Sequence, residues 1–202
     1  MQDREEILAQ LRRNRPANTP LPVISLPVDS LPVDSVQQAT PASLQHAFST
    51  VVEEIGGKVL LVEKAAGANK ETGPNKENVI AALRTVYPEL QPTFLSDLAG
   101  QDDLSGLQLF VCEGTLGVAE NGAVWVTEVS MSRREAPFIT QHLALILDRS
   151  QIVLNMHEAY KRISVAEEGF GVFVAGPSKT ADIEQSLVLG AHGPRSLTVV
   201  LI

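Results

Sequence analysis

A single cysteine in 202 residues excludes two kinds of architecture at once. Cys112 has no second cysteine for an internal disulfide, and no thiolate cluster exists to hold an iron–sulfur centre. It lies in the apolar stretch Leu109-Phe110-Val111-Cys112, where a buried core thiol is expected. No HExxH pattern, carboxylate–histidine run or CxxC occurs, so no metal site is expected. There is no Walker pattern between Gly67 and Asn78 and no GxGxxG after a strand, so no nucleotide cofactor is indicated. Gly114-Thr115-Leu116-Gly117 is at most a hint of a phosphate loop. Positive charge is also in short supply. Sixteen Lys and Arg face 24 Asp and Glu, a net −8 that argues against nucleic acid as a partner. The start, MQDREEILAQLRR, lacks the apolar core of a signal peptide, and no apolar run approaches the roughly 20 residues of a membrane span. A cytoplasmic protein is expected.

What is present suits a soluble globular chain: 44% hydrophobic and 20% charged residues, with length enough for one domain and a sizeable core. Ile7, Leu8 and Leu11 predict a short amphipathic helix over residues 1–14. The basic run Arg12, Arg13, Arg15 is balanced by Asp3, Glu5 and Glu6 and reads as a solvated face. Residues 15–41 hold half of the 12 prolines. Within them Leu-Pro-Val-Ile/Asp-Ser repeats three times, from Leu21 to Ser35. Proline at every fifth position removes backbone donors and fixes φ, so an extended linker is expected.

The domain is expected over residues 42–202. Thr40-Pro41 caps a helix that runs to Glu54 and stops at Gly56-Gly57. Lys58 to Glu63 reads as a strand, Ala65 to Pro74 as a mobile loop, and Asn75 to Tyr87 as a helix. Leu107 to Cys112, His142 to Leu147 and Ile152-Val153 read as further strands. Thr115 to Thr127 is a hairpin with Asn121-Gly122 as its turn. Asn155 caps a helix to Ile163. Strands alternating with helices give an α/β fold with a mostly parallel sheet and one antiparallel hairpin.

Chemistry concentrates in the last 34 residues, from Gly169 onward. The apolar Gly169 to Ala175 predicts a strand, Gly176-Pro177-Ser178 a turn, and Ser178 to Gly190 a helix before a final strand, together a βαβ unit. Such a turn would place free N–H groups at the positive end of a helix, a site for an anion. Ser178, Lys179, Thr180, Asp182 and Glu184 crowd that start. Asp182 and Glu184 would repel a phosphate unless they point away, and Lys179 would offset them. A well-capped structural helix explains the same residues. His192 and Arg195 suit either the negative end of the helix or a proton acceptor and a carboxylate fork. A ten-residue helix spans about 15 Å, which would keep His192 from acting on the same atom as Ser178 unless other elements intervene. Glu120, beside the hairpin turn, is either a solvated carboxylate or a base or nucleophile. His142 reads as a hydrogen-bonded core histidine.

Gly176-Pro177-Ser178-Lys179-Thr180-Ala181-Asp182-Ile183-Glu184, followed by Gly190-Ala191-His192-Gly193-Pro194-Arg195 and an apolar terminus, resembles the signature of the LUD domain family, in its LutC/YkgG group of lactate utilisation proteins. Ala119-Glu120-Asn121-Gly122 matches as well, although the family more often has Thr at the position of Asn121. The resemblance spans roughly Leu44 to Ile202. It implies a three-layer α/β/α sandwich like that of the NagB/RpiA/CoA-transferase group. It also implies a place in a multi-subunit system that oxidises L-lactate to pyruvate, with iron–sulfur and cysteine-rich partner subunits. On this reading the chain has no redox cofactor of its own. Gly176, Ser178, Lys179, Thr180, Asp182, Glu184, Gly193 and Arg195 would surround a small carboxylate or phosphate, with Glu120 and His192 as accessory or catalytic groups. The related fold offers an alternative: a transferase, isomerase or ligase acting on an acyl-CoA, sugar phosphate or nucleotide, with Glu120 as nucleophile or base.

Overall fold

A computed structural model describes residues 2–14, 40–63, 76–98, 103–181, 187–189 and 193–202. The chain divides into two units, Met1–Ser35 and Val36–Ile202. In the first, helix α1 (Gln2–Arg13) carries Arg12 and Arg13 in its last turn, where cations complement the helix dipole. Ile7 is exposed on it. The expected loop from Ala65 to Pro74 and the proline repeat lie outside the described residues.

The second unit runs α2 (Pro41–Glu54), β1 (Lys58–Leu61), α3 (Lys76–Val86), β2 (Pro92–Phe94), β3 (Leu109–Gly114), β4 (Leu116–Val118) and β5 (Ala123–Thr127). Two single-turn helices follow, α4 (Glu128–Met131) and α5 (Ala136–Ile139). Then come β6 (His142–Leu147), β7 (Ile152–Val153), α6 (Met156–Arg162) and α7 (Val165–Glu168). The chain ends on β8 (Gly171–Val174), β9 (Lys179–Ala181), β10 (Leu187–Leu189) and β11 (Ser196–Leu201).

Helix α2 forms for the reasons its sequence announces. The Thr40 hydroxyl accepts from the Ser43 N–H at 3.2 Å, Pro41 opens the helix, and Phe48 and Val52, one turn apart, are buried. It ends at Gly56, whose φ of +93° suits glycine. There the Gly56 and Gly57 amides donate to Glu53 and Val52 carbonyls at 2.9 and 2.8 Å.

Five strands in the order β1-β11-β6-β3-β2 make an all-parallel central sheet. Alternation along each strand splits its side chains between two cores. Phe110, Cys112, Leu143, Leu145, Leu147, Leu197, Val199 and Leu201 face Phe48 and Val52 of α2. Leu109, Val111, Ala144, Ile146 and Val200 face Val79 and Leu83 of α3. The expected α/β class with a mostly parallel central sheet and flanking helices is therefore observed. Among the described residues, no helix is long and apolar enough to cross a membrane.

A second sheet, β7-β4-β5-β8, shares the α2 side. Its Val124, Val126 and Ile152 enter the core beneath α2, while Leu116, Val118, Trp125 and Val153 pack against Ala159 of α6. The predicted Asn-Gly hairpin is β4–β5 within this sheet. Only Gly122 adopts positive φ (+67°), so the turn is a wider loop with Gly122 N–H on the Val118 carbonyl at 2.9 Å.

The terminal βαβ unit is not what the chain builds. Lys179–Ala181 and Leu187–Leu189 pair as an antiparallel ladder where a helix was expected. Thr180 and Val188 stand directly opposite in that register, and both are β-branched residues suited to a pleated strand. A helix of ten residues would also have been marginal without an apolar face docked elsewhere. The preceding strand, β8, belongs to the second sheet, so β8 and β11 are not sheet neighbours.

Candidate functional site

Parallel pairing puts the first residues of neighbouring strands together. His142 opens β6 and Ser196 opens β11, and the two are register partners. Ser196 Oγ lies 2.8 Å from His142 Nδ1 and 2.7 Å from the Tyr87 hydroxyl, which also reaches Thr198 Oγ1 at 2.9 Å. The Tyr87 ring packs on the imidazole at 5.1 Å between centroids. Thr198 is fully buried and Tyr87 nearly so, while His142 and Ser196 are half-buried. The sequence marks His142 as a hydrogen-bonded histidine without identifying its partners Tyr87, Ser196 and Thr198. The quartet's visible signal is a polar residue opening each of two largely apolar strands, HLALIL and SLTVVL, the second carrying Thr198 as well.

Arg195 precedes Ser196 and is exposed. Its N–H donates to the Gln141 carbonyl at 2.8 Å, which pins its backbone between β6 and β11. Burial, and then the Arg195 charge, hold His142 below its ordinary value of 6.5. The folded chain therefore binds fewer protons than the unfolded chain just below that value. Stability rises with pH in that window and is lost as the solution is acidified through it. Urea midpoints measured across the window are expected to decline on acidification, and His142→Gln should flatten the decline.

The turn before β9 meets the same edge of the sheet. Ser178 N–H donates to the Pro194 carbonyl at 2.9 Å, and a Cβ on Gly193 would sit 3.1 Å from Ser178 Cβ. The hairpin β9–β10 thus brings together two ends that a helix would have held apart. It also removes the helix N-terminus from the anion argument, because the Ser178 amide is already engaged. Lys179 Nζ donates to the Ile55 carbonyl at 2.5 Å, a cation on the C-terminal end of α2. A Cβ on Gly176, at φ +72°, would come within 3.2 Å of the same Ile55, and so would one on Gly122. The two sequence motifs, Gly176 to Lys179 and Asn121-Gly122, therefore converge on one residue.

Glu120 is directed elsewhere. Its N–H donates to the Leu154 carbonyl, and its Oε2 accepts from the Met156 N–H at 3.0 Å, serving the first turn of α6. Thr180 has its backbone paired with Val188. Asp182, Glu184 and His192 lie outside the described residues. Cys112 is 3% exposed, with its thiol pushed up to about 12 chiefly by burial, so it is inert. Among the described residues no group of His, Cys, Asp or Glu has the arrangement of a metal site. A separate cleft of about 310 Å³ opens beside Trp125, lined by Thr115, Gln151, Arg162 and Glu168 among others. Thr115 and Leu116 of the Gly114–Gly117 run line it, and none of the terminal-motif residues does. Open parallel sheets usually bind ligands at the carboxyl ends of their strands. The Arg195 corner lies at the amino ends, so the case for it rests on its own side chains.

The model of the LUD domain matches residues 100–202, just over half of the chain. The chain belongs to the LUD domain family. The match takes in the hairpin at Glu120, the Gly176–Lys179 turn and Arg195. Among similar proteins, the lactate utilization protein C of Geobacillus kaustophilus is 31% identical over 133 residues, 60% of this chain and 55% of its own. That of Geobacillus sp. strain WCH70 is 33% identical over 91 residues, 42% of this chain and 38% of its own. An uncharacterized protein of Neisseria meningitidis serogroup B is 33% identical over 89 residues, 43% of this chain and 38% of its own. The LUD chain thus spans about half, or less, of the length of the relatives it matches. A crystal structure of a DUF162 family protein from Deinococcus radiodurans is similar over 81% of this chain and 98% of that one, at 16% identity and a TM-score of 0.47.

Proposed function

We propose that this LUD protein is a non-redox subunit of a multi-protein system oxidising L-lactate to pyruvate. In this reading it holds a small anionic ligand at the Arg195 corner and contacts iron–sulfur and cysteine-rich partner subunits. The observation that carries the reading is that relatives bearing the name lactate utilization protein C match a chain whose LUD segment includes that corner. Residue chemistry supports the division of labour, since the chain's one thiol is buried and cannot ligate a cluster. Residues 15–41 serve as a tether between the N-terminal helix and the domain from residue 42. Glu120, on which a stand-alone transferase would depend, has its carboxylate engaged at the start of α6, and this favours the subunit reading.

A strain deleted for this chain is expected to lose growth on L-lactate as sole carbon source and to keep growth on pyruvate. Growth on L-lactate at the parental rate would remove the reading.

A further inference from the structure

The hydroxyl chain behind His142 has a property the anion reading does not require. Tyr87 has one proton to give and two acceptors, Ser196 Oγ and Thr198 Oγ1, at nearly equal distances of 2.7 and 2.9 Å. When Tyr87 donates to Ser196, the Ser196 proton points at His142 Nδ1, and the ring carries its own proton on Nε2. When Tyr87 donates to Thr198, the Ser196 proton turns to the Tyr87 oxygen. Nδ1–H then donates to Ser196, and Nε2 becomes an acceptor. Both arrangements are neutral and keep every short contact satisfied. They differ in whether Nε2 offers a proton or a lone pair. His142 is half-buried, with Arg195 directly preceding its register partner Ser196 and its charge felt at the ring.

We propose that Arg195, His142 and Ser196 form one subsite for small 2-substituted carboxylates. The guanidinium takes the carboxylate, and the imidazole Nε2 takes the group on carbon 2, accepting from a hydroxyl or donating to a keto oxygen. This rests on the anion reading above and narrows its ligand class to 2-hydroxy and 2-oxo acids held by one set of residues. The Tyr87–Ser196 pair sets the direction of the bond without a net change of charge. A site built to hydrogen-bond a substituent discriminates against the analogue that lacks it, because the buried partner is left unmatched.

The test is calorimetric titration of the full chain with L-lactate, pyruvate and propionate, which differ only at carbon 2. L-lactate and pyruvate are expected to bind within a few-fold of each other and propionate about tenfold more weakly. His142→Phe preserves a ring beside Tyr87 and should abolish the preference, so that L-lactate and propionate bind equally. Should that variant melt early, Ser196→Ala serves in its place, with the same loss of preference. Equal binding of all three acids by the native chain, or a preference that survives both variants, overturns this inference and leaves the anion site standing. No binding of any of the three overturns both.

Discussion

Phe48→Ala is expected to lower the unfolding free energy by about 3–5 kcal/mol, the usual range for a large aromatic truncated in a closed core. Phe48 is fully buried and couples three layers of the domain. It projects from α2 into the core that contains Leu145, Leu147 and Val199 of the central sheet and Val124 of the second sheet. A Cβ on Gly117 of β4 would come within 3.3 Å of its ring, so the second sheet is seated directly against it. No neighbour can swing in from solvent to fill the space. Domains of this kind are stable by only about 5–15 kcal/mol, so the variant should sit near the edge of folding. The urea midpoint should fall steeply with little change in slope, since the surface exposed on unfolding hardly alters. Because α2 ends at Ile55, which supports Gly176, Gly122 and Lys179, loosening of the helix should also loosen the corner. A midpoint within error of the native one would mean that Phe48 does not couple the layers of the domain.

Arg195→Ala should abolish growth on L-lactate and leave the protein folded. The side chain is exposed, and the bond that anchors this residue to the sheet is made by its backbone N–H, which alanine keeps. Surface changes of this sort usually shift stability by no more than about 0.5 kcal/mol. The effect on an anion is of another order. Losing a charge-assisted partner costs roughly 2–5 kcal/mol of binding, about thirtyfold to several thousandfold. The same variant carries an internal check. Removing the Arg195 charge takes away one of the two causes that hold His142 below its ordinary value. The imidazole should therefore titrate higher in the variant, as read from its proton resonance. Normal growth on L-lactate would take Arg195 out of the site, whatever the histidine does.

The parts of the fold readable in sequence are those set by local chemistry. Thr40-Pro41 and Gly56-Gly57 bracket α2 because a cap and a left-handed glycine act within one turn. Asn155 announces α6 in the same way, with its side chain accepting from the Glu158 N–H. The runs after His142 and Ser196 are almost wholly apolar because both faces of a parallel sheet are covered. What escaped was set by partners distant in the chain. Pro92–Phe94 is three residues long, opens on proline and survives as an edge strand only because β3 pairs with it. Lys179–Ala181 carries helix-start residues, yet Leu187–Leu189 captures it. The site divides along the same line. Glycine, proline and arginine near the terminus drew attention through their local pattern. The His142–Ser196 pair arises from a register between strands 54 residues apart, which no window along the chain contains.

Electron density from crystals of the full chain soaked with L-lactate is expected to show a carboxylate against the Arg195 guanidinium, with the 2-hydroxyl facing the His142 ring. Lactate lodged in the cleft beside Trp125 instead, or a corner closed by its own side chains, would rule out the Arg195 corner as the ligand site.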